Sequence, residues 1–462
     1  MLSLDTKILT GWDYFDDVIL ITKPDKSRTE QVVIRCPDWY FSIKTADYDK
    51  IIHTVDFEKL LFYKVTTKIT TNGDFTLIHC KSTAKSNDVS ELISKITAQG
   101  TVVYEADLTK TKRLLVDKKL PIANELKLLY FEIETDDSHS GIIEIGRDQI
   151  LSWAAYDNDG KSWFVVSKDE KKLISELLKV IDSHDVFMGW NSQNFDVPYV
   201  LARMQKHKLA YTWKKRVHID LMRRCIKLYS YEMEKIGLTG FSLNEVATTF
   251  LKESKVEHSK SIKELFDTDK ETLEKYNRKD AELLLKLDEK LGITKLMINE
   301  CVWTGTTLDR FYVGELLDNY MLRKSKERKQ YLYSRPTKEQ QDANEKIKII
   351  GGYVKKPLTG LYDNVRVFDF KSLYPSIIVS WNIGPDSIDV KKSYLGLIEL
   401  QKFVIGQKIE DVQFDDFVAF LQKQKTEIDP TDECYQTANN CFFRKDIDSF
   451  ISGLVLELLE LR

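Results

Sequence analysis

An α/β multidomain fold, α+β overall, follows from three observations. The 462 residues are enough for roughly three domains at the usual length per domain. The first hundred residues alternate short apolar runs with polar turns, whereas from Glu125 onward apolar strands and helical patterns take turns. Residues 296–346 then read as long helices.

Taken in order, strand-like runs at 18–22, 31–35 and 75–79, with the hairpin dipeptide Asn72-Gly73, predict a small mixed domain rich in β structure. The next part predicts strands at 126–133, 150–156 and 186–189 and helices at 171–183, 197–208 and 270–291. The charge run from Arg323 to Lys329 reads as a solvated helix face. Gly351-Gly352 punctuates the chain before a strand pattern at 365–370, and the last thirteen or so residues begin another helix.

At 42% hydrophobic and 31% charged the composition is that of a globular protein, and no apolar run reaches the ~18 residues of a membrane helix. The N-terminus lacks the layout of a signal peptide, so an intracellular (cytoplasmic) protein is expected. Six cysteines without a CxxC pair argue against both a disulfide framework and a zinc site. A net charge of −3 argues against a chain that wraps nucleic acid by bulk electrostatics.

The chemistry concentrates in acids. Glu132 and Glu134 lie two apart on a predicted strand and emerge on one face, where they repel unless a cation lies between them. Taken alone, such a pair is more often the solvent face of an edge strand. Asp196 precedes a helix and taken alone could be an ordinary N-cap. Tyr276 and Asp280 are one helical turn apart on a face that also carries leucines, so Asp280 is expected to point inward, either to an ion pair or to a metal. In Val365-Arg366-Val367-Phe368-Asp369-Phe370 a single acid is embedded in a buried-strand pattern, and Ser372-Leu373-Tyr374-Pro375 turns into an apolar helix whose first N–H groups can face an anion.

As a set these pieces resemble family B DNA polymerases. E-I-E-T at 132–135, N-x-x-x-F-D at 191–196 and Y-x-x-x-D at 276–280 look like the three motifs of the proofreading 3′-5′ exonuclease, and D-x-x-S-L-Y-P-S-I-I from Asp369 looks like polymerase motif A. The resemblance implies an N-terminal domain at 1–120 with 293–335 packing back on it, an RNase H-like exonuclease domain at 121–292, and the N-terminal part of a polymerase palm at 336–462. It implies Glu132, Glu134, Asp196 and Asp280 as metal ligands, Tyr276 as the residue that positions the attacking water, and Asn191 and Phe195 as shapers of the single-strand pocket. For synthesis it implies metal at Asp369 and at the Phe370 carbonyl, triphosphate contacts from Ser372 and Leu373, and Tyr374 under the sugar. Gly351, Gly352 and Tyr353 match the template-contacting Y-x-G-G element. Two Mg²⁺ or Mn²⁺ ions per site, primer-template DNA and dNTP are the implied cofactors and partners, with a sliding clamp as a further candidate.

Two departures stand out. Glu132 occupies a position where the family usually carries aspartate, leaving proofreading weakened, lost or natively tuned as alternatives, and Ile349 replaces the tyrosine of Y-x-G-G. No fingers lysine and asparagine motif, D-T-D motif or thumb follows motif A. The expected protein is therefore the N-terminal part of a split polymerase that a C-terminal subunit completes. A stand-alone 3′-5′ exonuclease and a nonenzymatic DNA-binding or assembly subunit are the alternatives.

Overall fold

The computed structural model describes residues 6–15, 17–23, 29–35, 37–53, 62–70, 73–80, 86–139, 144–211, 216–345, 357–405 and 414–461. The chain forms two compact units, Met1–Arg335 and Pro336–Arg462.

Three sheets build the first unit. Strands β1 (Lys7–Tyr14), β2 (Asp17–Lys23) and β3 (Glu30–Ile34) form an antiparallel meander. Strands β4 (Trp39–Lys44), β5 (Phe62–Thr70), β6 (Gly73–Cys80) and β7 (Val103–Tyr104) form a four-stranded sheet in the order β5-β6-β4-β7. The β5–β6 pairing runs to Thr70↔Gly73, while Asn72 lies outside the described residues.

The third sheet holds β8 (Leu128–Thr135), β9 (Ile150–Asp157), β10 (Ser162–Val166), β11 (Val186–Gly189) and β12 (Val217–Asp220) in the order β10-β9-β8-β11-β12. The β8–β9 and β9–β10 pairs are antiparallel and the β8–β11 and β11–β12 pairs parallel. Helices cover both faces of this sheet. Leu173, Ile174 and Leu177 of the Glu170–Asp182 helix pack with Leu129, Phe131 and Ile133, while Leu283, Leu284 and Leu287 of the Lys270–Leu291 helix join the core that holds Leu128 and Tyr130. That second core continues into Ile8, Leu9, Val18 and Leu20, so the N-terminal meander is welded to the sheet; the buried Lys23–Asp185 pair at 2.5 Å adds a charge contact.

The charge run at 323–329 is not simply a solvated face. Ser325 is buried, Lys326 reaches the buried Glu105 at 2.7 Å and Arg323 donates to the Leu120 carbonyl, because the Val313–Glu327 helix lies against the Lys110–Asp117 helix.

The second unit contains the helices Leu373–Ser380, Val390–Val404, Phe414–Ile428 and Phe450–Glu460 and the hairpin of β13 (Cys434–Gln436) and β14 (Phe442–Arg444). Buried Asp429 is its polar knot: it accepts from Lys392, Lys425 and the Cys434 N–H, and the two ammonium groups hold its carboxyl well below the usual range against the desolvation that would raise it. The buried strand expected at 365–370 is absent. Those residues lie in no strand, because no described strand runs beside them to receive their backbone hydrogen bonds, and Val367 and Phe368 are 90% and 87% exposed.

Candidate active sites

β8 is the middle strand of its sheet, and its alternation decides where the acids go. Leu129, Phe131 and Ile133 enter one core; Glu132 and Glu134 therefore emerge on the opposite face, over which the Lys270–Leu291 helix packs. The edge-strand reading of this acidic pair is corrected, since β8 has a strand on either side and a helix layer on each face. Opposite the two glutamates β9 presents Ala154 and Ser152, both buried and small, which lets that helix come close. Asn277 of the helix then fastens it, accepting from Ser152 Oγ at 3.2 Å and donating to the Glu132 carbonyl at 3.4 Å.

Asp196 is the first residue of the Asp196–Lys206 helix, whose N-cap is Phe195. The simple N-cap reading is corrected too: Asp196 Oδ1 accepts from the Ile133 N–H at 3.2 Å, which turns the buried carboxylate toward β8. Asp280 enters from the Lys270–Leu291 helix, one turn from Tyr276. Its Oδ2 accepts from Lys255 Nζ at 2.6 Å, and its buried Oδ1 has no hydrogen-bond partner among the described residues. Lys255 also lies 5.6 Å from the Tyr276 ring centre, and His258 meets that ring edge-on at 4.5 Å.

Electrostatics follow from this crowding. Burial first, then the neighbouring Asp196 and Asp280, lift Glu132 well above the ordinary carboxylate range; burial and Asp280 do the same to Glu134. Burial pushes Asp196 up to about 7, against hydrogen bonds from the Ile133 backbone and Glu132. Burial raises Asp280 as well, opposed by Lys255, whose own ammonium form is reinforced by Asp280. Four carboxyls thus share one ammonium. Among the described residues no three acidic, histidine or cysteine side chains stand in metal-holding geometry. The donor set nevertheless suits a hard divalent cation: it is all oxygen, it has surplus negative charge, and one buried oxygen is left unsatisfied.

Lys255 and Asn277 were not singled out from sequence. A lone lysine in a loop has no periodic signal, while Asn277 could have been found as the inward neighbour of Tyr276 on the same helix. Asn191 takes a left-handed conformation at φ 57° and opens the loop that ends in Phe195, whose ring lies 5.4 Å from Tyr199.

Motif A presents a contrasting picture. Asp369 is exposed, as are Phe370, Leu373 and Tyr374. Ser372 is the left-handed N-cap residue of the Leu373–Ser380 helix, at φ 55°, and does not cap it through its side chain. Gly351, Gly352, Tyr353 and Ile349 lie outside the described residues.

Comparison with known proteins bears on both sites. Residues 129–292 match the RNase_H superfamily and residues 315–437 match DNA polymerase family B. DNA polymerase 1 of Pyrococcus abyssi is 28% identical over 348 residues, which cover 65% of this chain and 43% of that protein; a Thermococcus litoralis DNA polymerase is 30% identical over 353 residues, covering 65% and 20%. The chain thus spans less than half the length of these curated relatives. In fold it is similar to the family B DNA polymerase of the hyperthermophilic archaeon Pyrobaculum calidifontis, with a TM-score of 0.68 at 20% identity over 99% of this chain and 63% of that one. Two family models in this order, with relatives and a fold of the same kind, support reading the chain as similar to the DNA polymerases of family B.

Proposed function

We propose that this chain is the N-terminal subunit of a split DNA-directed DNA polymerase that edits with its own 3′-5′ exonuclease. Synthesis begins when a C-terminal subunit supplies the fingers, the second palm aspartate and the thumb. The observation that carries the reading is the meeting of Glu132, Glu134, Asp196, Asp280 and Tyr276, brought from three distant stretches of sequence around the middle strand of an RNase H-like sheet.

In this reading Glu132, Glu134, Asp196 and Asp280 hold two Mg²⁺ or Mn²⁺ ions. When bound, such ions supply an activated water and stabilise the leaving oxygen of a phosphodiester. Tyr276 positions the water through its hydroxyl, and Asn191 and Phe195 receive the unpaired 3′ end of the primer. Lys255 neutralises Asp280 while the ions are away. For synthesis, Asp369 and the Phe370 carbonyl hold metal, Ser372 and Leu373 contact the dNTP triphosphate, and Tyr374 lies under the deoxyribose. The exposure of Val367, Phe368 and Phe370 supports the need for a second polypeptide, since a run apolar on both faces is the signature of a strand inside a sheet. The domain limits 1–120 with 293–335, 121–292 and 336–462 belong to the same proposal.

The test uses the chain alone and then reconstituted. With Mg²⁺ the chain alone should release nucleotides from the 3′ end of a single-stranded oligodeoxynucleotide and incorporate no dNTP on a primed template; adding a polypeptide with the remaining palm, fingers and thumb should switch incorporation on. Hydrolysis that persists while the reconstituted mixture never incorporates would leave a stand-alone exonuclease. DNA binding without either reaction would leave a nonenzymatic subunit.

A further inference from the structure

The loop 191–195 opens at the left-handed Asn191, and three consecutive residues after it are each tied to a side chain from one short element, the end of β12 and the first turn of the Leu221–Tyr229 helix. Ser192 Oγ bonds His218 Nε2 at 2.9 Å, the Gln193 N–H donates to Asp220 Oδ2 at 3.0 Å, and Arg223 Nη2 donates to Asn194 Oδ1 at 2.9 Å. Asn194 in turn donates from Nδ2 to Asn191 Oδ1 at 2.8 Å, so the tie reaches the residue with the unusual backbone.

These contacts are built in, not incidental. Ser192 is fully buried and approaches β11 so closely that a Cβ on Gly189 would lie 2.7 Å from its own Cβ. His218 lies against the Phe187 ring at 5.0 Å, and burial lowers it to about 4, so at neutral pH the uncharged ring can accept the Ser192 hydroxyl proton. Asp220 accepts at both oxygens, from the Gln193 N–H and from the Arg223 N–H it caps, so it ties the loop to the start of the helix. The acids that the proposed hydrolysis uses lie elsewhere: Asp196 follows the loop, and the other three come from β8 and the Lys270–Leu291 helix.

We propose that His218, Asp220 and Arg223 brace the 191–195 loop in the shape that receives a single-stranded 3′ end, making them positioning residues for strand binding and not for hydrolysis. The inference rests on the editing role proposed for Asn191 and Phe195. Without the brace the loop has many conformations to lose on binding, and that loss falls on affinity. Once the strand is seated, the carboxylates and Tyr276 are where they were, so turnover is spared.

The experiment measures KM and kcat for Mg²⁺-dependent release of 3′ nucleotides from a labelled single-stranded oligodeoxynucleotide, using the full chain. Ser192→Ala, His218→Leu and the surface change Arg223→Ala should each raise KM about 5- to 10-fold, the worth of one hydrogen bond, with kcat within about twofold. His218→Gln, which keeps an acceptor, should stay within about twofold of the starting chain in both constants. A fall in kcat at unchanged KM, or a His218→Gln variant as impaired as His218→Leu, overturns the brace. Oligonucleotide affinity in EDTA, read by fluorescence anisotropy, separates the two readings. If the unaltered chain binds but does not hydrolyse, the editing reading fails and the brace stands or falls on whether Arg223→Ala and Ser192→Ala weaken binding. If it does not bind at all, both fail. Arg223→Ala is exposed and keeps the test available should a buried variant not fold.

Discussion

Leu128–Thr135 and residues 365–370 are close to the same sentence written twice: an apolar run with carboxylates set into it. Their fates differ completely. The first is the central strand of five, its acids enclosed beneath a helix and pushed toward protonation; the second pairs with no described strand and leaves Asp369 in solvent. A strand is a property of its neighbours as much as of its residues, because its ladder hydrogen bonds are all made to another strand. An acid acquires unusual chemistry only when that neighbourhood excludes water from it.

The sharpest way to break this contrast is to remove an acid from each side. Asp280→Ala or Asp196→Ala should cut single-strand hydrolysis by about 10³-fold, while Asp369→Ala should leave it within about twofold; a comparable loss from Asp369→Ala would mean that the two sites are not independent. Packing comes next. Phe131→Ala, in the core behind the acids, should cost about 3–5 kcal/mol in urea unfolding of the first unit.

Charge follows. Because the carboxyls of the enclosed site are raised in the folded state, their contribution to the stability of the metal-free protein is fully present below their unfolded values, about 4, and is lost as pH rises through about 7. Asp196→Asn keeps the acceptor for the Ile133 N–H and removes the charge, so at pH 8 in EDTA it should stabilise the fold, by about 2 kcal/mol, and abolish the further stabilisation that Mg²⁺ gives the unaltered chain. Destabilisation by Asp196→Asn at pH 8 would show that the acids are not strained. The smallest effect is expected at motif A: Phe368→Ala should change the stability of the chain alone by no more than about 0.5 kcal/mol, since that ring is 87% exposed, yet weaken assembly with a C-terminal polypeptide in pull-down or sedimentation. A large loss in the isolated chain would show that residues 365–370 are already packed.

Much of the first unit was legible because its signals are local. The period-two pattern located strands β2, β3, β6 and β9 to within a residue or two, and β11 and the Lys270–Leu291 helix fell on the predicted residues. The edge strands β10 and β12 were not anticipated, being only five and four residues long with little room for periodicity. In the second unit the fifty residues after Val390 gave no clear reading, and those of them that are described form helices and a hairpin tied by Asp429.

Sequence alone determined the resemblance to family B polymerases, the order of the acidic motifs and the side of β8 on which Glu132 and Glu134 stand, because motif spacing and strand alternation are written into consecutive residues. Only the tertiary structure decided that β8 is central and not an edge, that Asp196 turns toward β8 and not to its own helix end, that Lys255 answers Asp280, and that Asp369 faces solvent. Each of those depends on a partner many residues away, and burial, hydrogen bonding and charge compensation exist only once that partner has arrived.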